Sequence, residues 1–201
     1  MLSRGYSSIG VAEICARADV RKGSFYHFFD SKQALTIEAL DVHWRDQRAA
    51  WVSVLGATAP ALTRLERLAR TQAAVQRQAK DETDAVNGCL FANLALELSS
   101  QDQAVQAHLQ QIFDEQIQLV HATLHEAAAD GTIHVDRATR TIARAVVAQL
   151  EGMVMFAKLS NDPDVLDDLW TQIQLLIGSG QLTRLQSARG GLTPPQAVAS
   201  D

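Results

Sequence analysis

The stretch GYSSIGVAEICARADVRKGSFYHFFDSKQAL, from Gly5 to Leu35, decides how the rest of the chain is read. Apolar residues at Ile9, Ala12, Ile14, Cys15 and Ala18 recur at helical spacing behind Ser7, an N-cap candidate, so a helix is expected over Ser7 to Ala18. Asp19-Val20 breaks it. A second, short helix is expected from about Lys22 to Phe28, and Asp30-Ser31 opens a third, with Asp30 and Gln33 spaced as a capping-box variant. A helix that reads base edges must expose small or polar side chains at its start so that its backbone can approach them, and must anchor its other face in a core. Lys22, Gly23 and Ser24 suit the first task, and Phe25, Phe28 and Phe29 the second, with Tyr26 and His27 directed outward. Lys32 opens the third helix, where side chain, free N–H groups and helix dipole together favour a phosphate, and Ser7 or Ser8 is placed to do the same at the first.

In order and spacing this segment resembles the DNA-binding signature of the TetR family of transcriptional regulators: a Gly-Tyr turn, a helix with an Ala-rich end, a tight turn, then Lys-Gly-Ser-Phe-Tyr-His-Phe-Phe and Ser-Lys opening the next helix. The resemblance implies an all-α protein with an N-terminal helix-turn-helix and a C-terminal helical domain that binds a ligand and dimerises. It implies contact with a double-stranded operator through Ser7, Ser8, Arg21, Lys22, Gly23, Ser24, Tyr26, His27 and Lys32. Arg21 stands where the family often has Ser, Thr or Pro, so it is expected to alter operator preference. Arg17 is read as capping its own helix. The family also has a full helix before the Gly-Tyr turn. Only Met1 to Arg4 stand there, so the reader's first helix is expected to be missing, which would uncover part of Ile9, Ile14 and Phe28 at roughly 1.5–3 kcal/mol for each large side chain exposed.

The net charge of −5 argues against nucleic acid only when the chain is taken whole. Residues 1 to 32 carry +2 and the remainder −7, which fits a small reader on an acidic body. Hydrophobic residues make up 47% of the 201 positions and charged ones 20%, enough for a buried core and too apolar for wholesale disorder. No apolar run approaches the roughly 18 residues of a membrane span, and no leader peptide is recognisable, so the expected location is the cytoplasm. The two cysteines, Cys15 and Cys89, are too few for a disulfide framework; Cys15 is read as packing.

Beyond Ser31 a long helix is expected to Gly56, on Leu35, Ile37, Leu40, Trp44, Trp51, Val54 and Leu55. Further helices are expected over Leu62 to about Lys80, Cys89 to Leu98, Ala104 to Ala129, Arg137 to Leu159 and Pro163 to Ile177. The tail from Gly178, with Gly-Ser-Gly, Gly-Gly and Pro-Pro, is expected to be mostly disordered. The domains are read as 1–45 for DNA binding, 46–178 for ligand binding and dimerisation, and 179–201 for the tail.

NGCLFANLALEL, Asn87 to Leu98, resembles a subgroup of TetR repressors that includes sensors of reactive electrophiles and of unsaturated small acids or aldehydes. The resemblance implies a sensing region with Cys89, Phe91, Asn93, Phe113, Met153, Phe156 and Lys158. Cys89 is placed in a first helical turn, where N–H groups and dipole lower a thiol's pKa, and Lys158 is a candidate thiolate neighbour. Position alone reads Cys89 as a buried small hydrophobe and Lys158 as a helix-end lysine. The last two helices resemble the family's dimer interface, with one stripe at Ile142, Val146, Leu150, Met153 and Ala157 and another at Leu166, Leu169, Trp170 and Ile173. An intrachain core is the competing reading of the same stripes.

No Glu-x-x-His pair, P-loop, dinucleotide fingerprint or nucleophile elbow is present, so neither an enzyme nor a cofactor is expected. His121 and His125 are four apart and would need His108, His134 or Glu126 to converge as a metal site; a solvated helix face is the simpler reading, and no metal is assigned. The expected partners are operator DNA, a second copy of the chain, and a small-molecule or electrophilic inducer.

Overall fold

The computed structural model describes residues 5–179. Among them are eight α-helices: α1 (Val11–Arg17), α2 (Lys22–Phe28), α3 (Lys32–Leu55), α4 (Ala61–Thr83), α5 (Leu90–Leu98), α6 (Gln103–Ala129), α7 (Arg140–Ser160) and α8 (Leu169–Ile177). The only other regular elements among those residues are 3₁₀ turns at Val135–Arg137 and Pro163–Asp168, so the all-α expectation holds. No described helix is long and apolar enough to cross a membrane. The expected tail lies, beyond Ser179, outside the described residues.

Several expected helix ends differ; α7, expected from Arg137, starts at Arg140 behind the Thr139 cap. α1 starts at Val11, with extended Gly10 as N-cap and no side-chain cap, and its first helical bond runs from Ile14 N to Gly10 O. Ser7 and Ser8 sit in the preceding turn. The cap of α3 is Ser31, which accepts from Ala34 N at 3.0 Å, and the Gln33 amide instead reaches the Asp102 carboxylate. Pro163–Asp168 winds as 3₁₀ rather than α, with Asp162 accepting from Asp164 N, and the α-helix begins only at Leu169.

α3 has 24 residues and so spans about 36 Å. It continues unbroken through residues 45 and 46, where the sequence suggests a domain boundary, and one rod therefore serves both the reader and the body. Two apolar cores lie along it. Near the reader, Leu40 and Trp44 of α3 meet Phe91, Leu94 and Leu98 of α5 and Val105, Leu109 and Ile112 of α6. Further along, Trp51 and Leu55 join the larger core built from α4, α6, α7 and α8. Arg64 of α4 is buried beside the far end of α3, donating to Leu55 O there and to Glu126 of α6. It thereby satisfies a carbonyl that the helix itself leaves free.

Within the single chain this packing favours the intrachain reading of the expected dimer stripe. Val146, Leu150 and Met153 of α7, with Leu166, Leu169 and Ile173, are buried within the single chain; Ile142 and Trp170 are only partly covered. A 3.6-residue stripe reports burial, and here the covering surface is the chain's own α4 and α6. What α7 and α8 leave in solvent is a different set: Met155, Phe156, Leu159 and Leu175.

Candidate nucleic-acid interface and ligand cavity

Asp19, in the left-handed region at φ 53°, makes the tight turn that sets α2 against α1. Phe25 anchors α2 at 5% exposure, edge-on to Tyr26 at 5.1 Å and near Phe29 at 5.7 Å. Arg21, Lys22, Gly23, Ser24, Tyr26 and His27 are all exposed, as the sequence predicts. A Cβ added at Gly23 would meet nothing within 4 Å, so the start of this helix faces open space. Phe28 departs from expectation: it is 74% exposed, with the His27 ring edge-on to it at 5.0 Å. The helix is two turns long, and Phe25 alone fills its inward face.

Lys32 has a different setting from the one expected. Its Nζ donates to Tyr6 O at 3.0 Å and Ile9 O at 2.9 Å and lies 3.7 Å from the centre of the Tyr6 ring. The ammonium thus holds the turn before α1 rather than standing free for a phosphate. From the other side, the Glu97 carboxylate of α5 accepts from Tyr6 N and Ser7 N, each at 2.7 Å. Partial desolvation pushes the Glu97 carboxyl up, but the Ser7 and Tyr6 donors, with Lys32 nearby, outweigh it and hold the pKa below its ordinary value. Gly5 permits this approach. Its φ is +76°, and a Cβ there would lie 2.9 Å from Glu97 Oε2.

At the opposite end of α5 is a cavity of about 140 Å³ between α3, α4, α6 and α7, with Cys89 in its wall. Its apolar lining includes Leu90, Leu150 and Val154; its polar lining includes His43, Gln76, Gln116 and Glu151. Gln76 is fixed by a two-way pairing with the Gly88 peptide, at 3.0 and 3.3 Å. Trp51 Nε1, Gln116 Oε1 and Glu151 Oε2 are buried without a hydrogen-bond partner in the protein. Such a group costs about 1–3 kcal/mol to leave unsatisfied, so three around one cavity call for an explanation. Burial raises the Glu151 pKa to about 6 against the lowering effect of a hydrogen bond with Cys89, and burial lowers that of His43.

The same neighbour opposes the expected activation of Cys89. Cys89 is the N-cap residue of α5, and the Ala92 and Phe91 N–H groups do pull its pKa down. Burial and the Glu151 charge outweigh them and push the thiol well above its ordinary value. Lys158 serves another purpose: its Nζ donates to Asn93 Oδ1 at 3.0 Å, and its chain passes so close to Gly88 that a Cβ there would be 2.8 Å from Cδ. With Gly88 at φ +77°, the glycine of the Gly-Cys-Leu motif is a packing and backbone requirement.

Of the expected sensing residues, only Cys89 lines this cavity. Phe91 is fully buried in the reader-side core, edge-on to Trp44 at 6.0 Å and Phe113 at 6.5 Å. Asn93 ties down the loop through Asn87 O and Lys158, Met153 is core, and Phe156 is 53% exposed. The residues that sequence reasoning missed are His43, Trp51, Gln76, Gln116 and Glu151. For Gln116 a signal was available, since it is a polar residue set within the buried stripe of α6. His121 and His125 meet edge-on at 4.5 Å, and no group of three or more potential ligands gathers among the described residues. Cys15 is buried.

Residues 1–39 match the family model for bacterial regulatory proteins of the tetR family, and residues 61–173 match that for the tetracyclin repressor-like C-terminal domain. The chain is 31% identical over 173 residues to the HTH-type transcriptional repressor DhaR of Mycobacterium sp. (strain GP1), covering 86% of this chain and 83% of that protein. It is 30% identical over 169 residues to the transcriptional regulator AcuR of Cereibacter sphaeroides, covering 83% and 74%. The crystal structure of a regulatory protein TetR from Rhodobacter sphaeroides superposes with a TM-score of 0.76 at 26% identity, over 86% of this chain and 90% of that one. With reader and helical body matched in order along one polypeptide, the chain belongs to the TetR family of DNA-binding transcriptional regulators.

Proposed function

We propose that the protein is a cytoplasmic homodimeric repressor that holds a palindromic operator through α2 and releases it when a small molecule occupies the cavity beside Cys89. The observation that carries this reading is the placement of α5. Its N-cap, Cys89, lines the cavity, and eight residues, about 12 Å, further on Glu97 grips the turn that leads into the reader. A ligand that displaces the start of α5 changes that grip and, with it, the balance between DNA-competent and released arrangements. Lys22, Gly23, Ser24, Tyr26 and His27 are the exposed groups for DNA, and Arg21 adds a charge beside them. The exposed apolar residues of α7 and α8, including Met155, Phe156, Leu159 and Leu175, supply a face for a second copy. The setting of Cys89 favours a reversible ligand over covalent attack by an electrophile.

Footprinting on the DNA upstream of the protein's own coding region, with sizing of the free protein, tests this reading. The expected result is a dimer protecting two inverted half-sites about one helical turn apart. A monomer, or protection without inverted symmetry, would contradict it.

A further inference from the structure

We infer that the cavity beside Cys89 takes a small, non-anionic molecule that donates a hydrogen bond to Glu151, with a hydroxyl or primary amine as the donating group. The inference rests on the reading of the chain as a ligand-released regulator and specifies what releases it. Size comes first. A cavity of about 140 Å³ is close to one of about 150 Å³ known to hold benzene, so the occupant has about six non-hydrogen atoms. Aliphatic walls at Leu90, Leu150 and Val154 require an apolar body.

The unpaired atoms define the polar end. Glu151 Oε2 and Gln116 Oε1 are acceptors that want a donor, and Trp51 Nε1 is a donor that wants an acceptor. All three residues line the same cavity, and Trp51 and Gln116 are 4% and 1% exposed. A hydroxyl is donor and acceptor in one group, and an ammonium pairs with the carboxylate directly. A carboxylate does neither, and it would bring a second negative charge to a cavity whose lining contains no lysine or arginine. The lining therefore opposes the small-acid inducers that the Gly-Cys-Leu resemblance implies.

Three probes of six non-hydrogen atoms separate these chemistries: pentan-1-ol, pentylamine and butyrate. Each is titrated into the full chain, with the Trp51 indole N–H resonance and calorimetry as readouts, and DNA affinity is followed in parallel. The alcohol or the amine should bind about tenfold or more tightly than butyrate, since like charges in a partly buried site repel strongly. The alcohol should also move the indole N–H resonance as that donor gains an acceptor. In Glu151→Gln the disadvantage of butyrate should shrink; if that variant does not fold, the ranking in the native chain decides alone. Butyrate binding as tightly as the alcohol and the amine, or no probe moving the Trp51 resonance while DNA binding is intact, would overturn the assignment. Alcohol binding with no effect on DNA affinity would leave the ligand class standing and overturn ligand-released regulation.

Discussion

Replacing Glu97 by Ala tests whether the reader is held by α5. The carboxylate accepts two backbone N–H groups at 2.7 Å, from Tyr6 and Ser7. Charge-assisted bonds of this kind are worth about 1.5–3 kcal/mol each when shielded. Solvent around Glu97 reduces that to about 0.5–1 kcal/mol each, or about 1–2 kcal/mol for the pair. Amide exchange at Tyr6 and Ser7, followed by NMR, should then accelerate about 5–30-fold in Glu97→Ala, while amides in the middle of α6 keep their rates. The grip should also depend on pH. Because the folded pKa of Glu97 is below its unfolded value of 4.5, its contribution is present above 4.5 and is lost as pH falls through the folded value. Unchanged exchange at Tyr6 and Ser7 in the variant would refute the idea that Glu97 couples α5 to the reader.

Glu151 should behave in the opposite sense. Its pKa is raised from 4.5 to about 6 by burial, so its share of stability is full below 4.5 and is lost as pH rises through 6. Thermal melts should show Glu151→Gln gaining up to about 2 kcal/mol on the native chain at pH 7, less whatever the hydrogen bond to Cys89 supplies, with the gain vanishing near pH 4. Cys89 should react with iodoacetamide at neutral pH far more slowly than free cysteine, and faster in Glu151→Gln; a native rate above that of free cysteine would restore the thiol-sensor reading. Gly88→Ala should destabilise the loop before α5, since positive φ and the Lys158 chain both oppose a Cβ, and a lowered melting temperature checks it. Phe156→Glu with Leu159→Glu should leave the fold intact by circular dichroism and shift the sedimentation coefficient to that of a monomer.

The reader is legible in the sequence because its task fixes residue types at fixed spacing: a small, polar helix start, an aromatic anchor and a tight turn. Long helices are legible for the simpler reason that stripes such as Leu40, Trp44, Trp51 and Leu55 repeat over several turns. The covering partner of a stripe is not, so Val146, Leu150 and Ile173 read as a subunit interface when α4 and α6 bury them. Lys32 and Glu97 illustrate a further limit. Glu97 meets Tyr6 through the packing of α5, 91 positions away, and Lys32 meets it from α3, 26 positions away; neither separation carries a local mark of that proximity. Cys89 shows a local rule outweighed by a distant one: the helix start acts as expected, and burial with Glu151, from another helix, decides the outcome.

The most direct test of the central claim is the salt dependence of DNA binding, measured by fluorescence anisotropy on the footprinted operator for the native chain, Lys22→Ala and Arg48→Ala. Arg48 lies on α3, paired with Glu115 and remote in sequence from the reader. Lys22→Ala should weaken binding and reduce the slope of log affinity against log salt by about 1 for each phosphate that Lys22 neutralises, while Arg48→Ala should match the native protein. Equal affinity and slope in Lys22→Ala and the native chain would contradict the assignment of α2 as the DNA-reading helix.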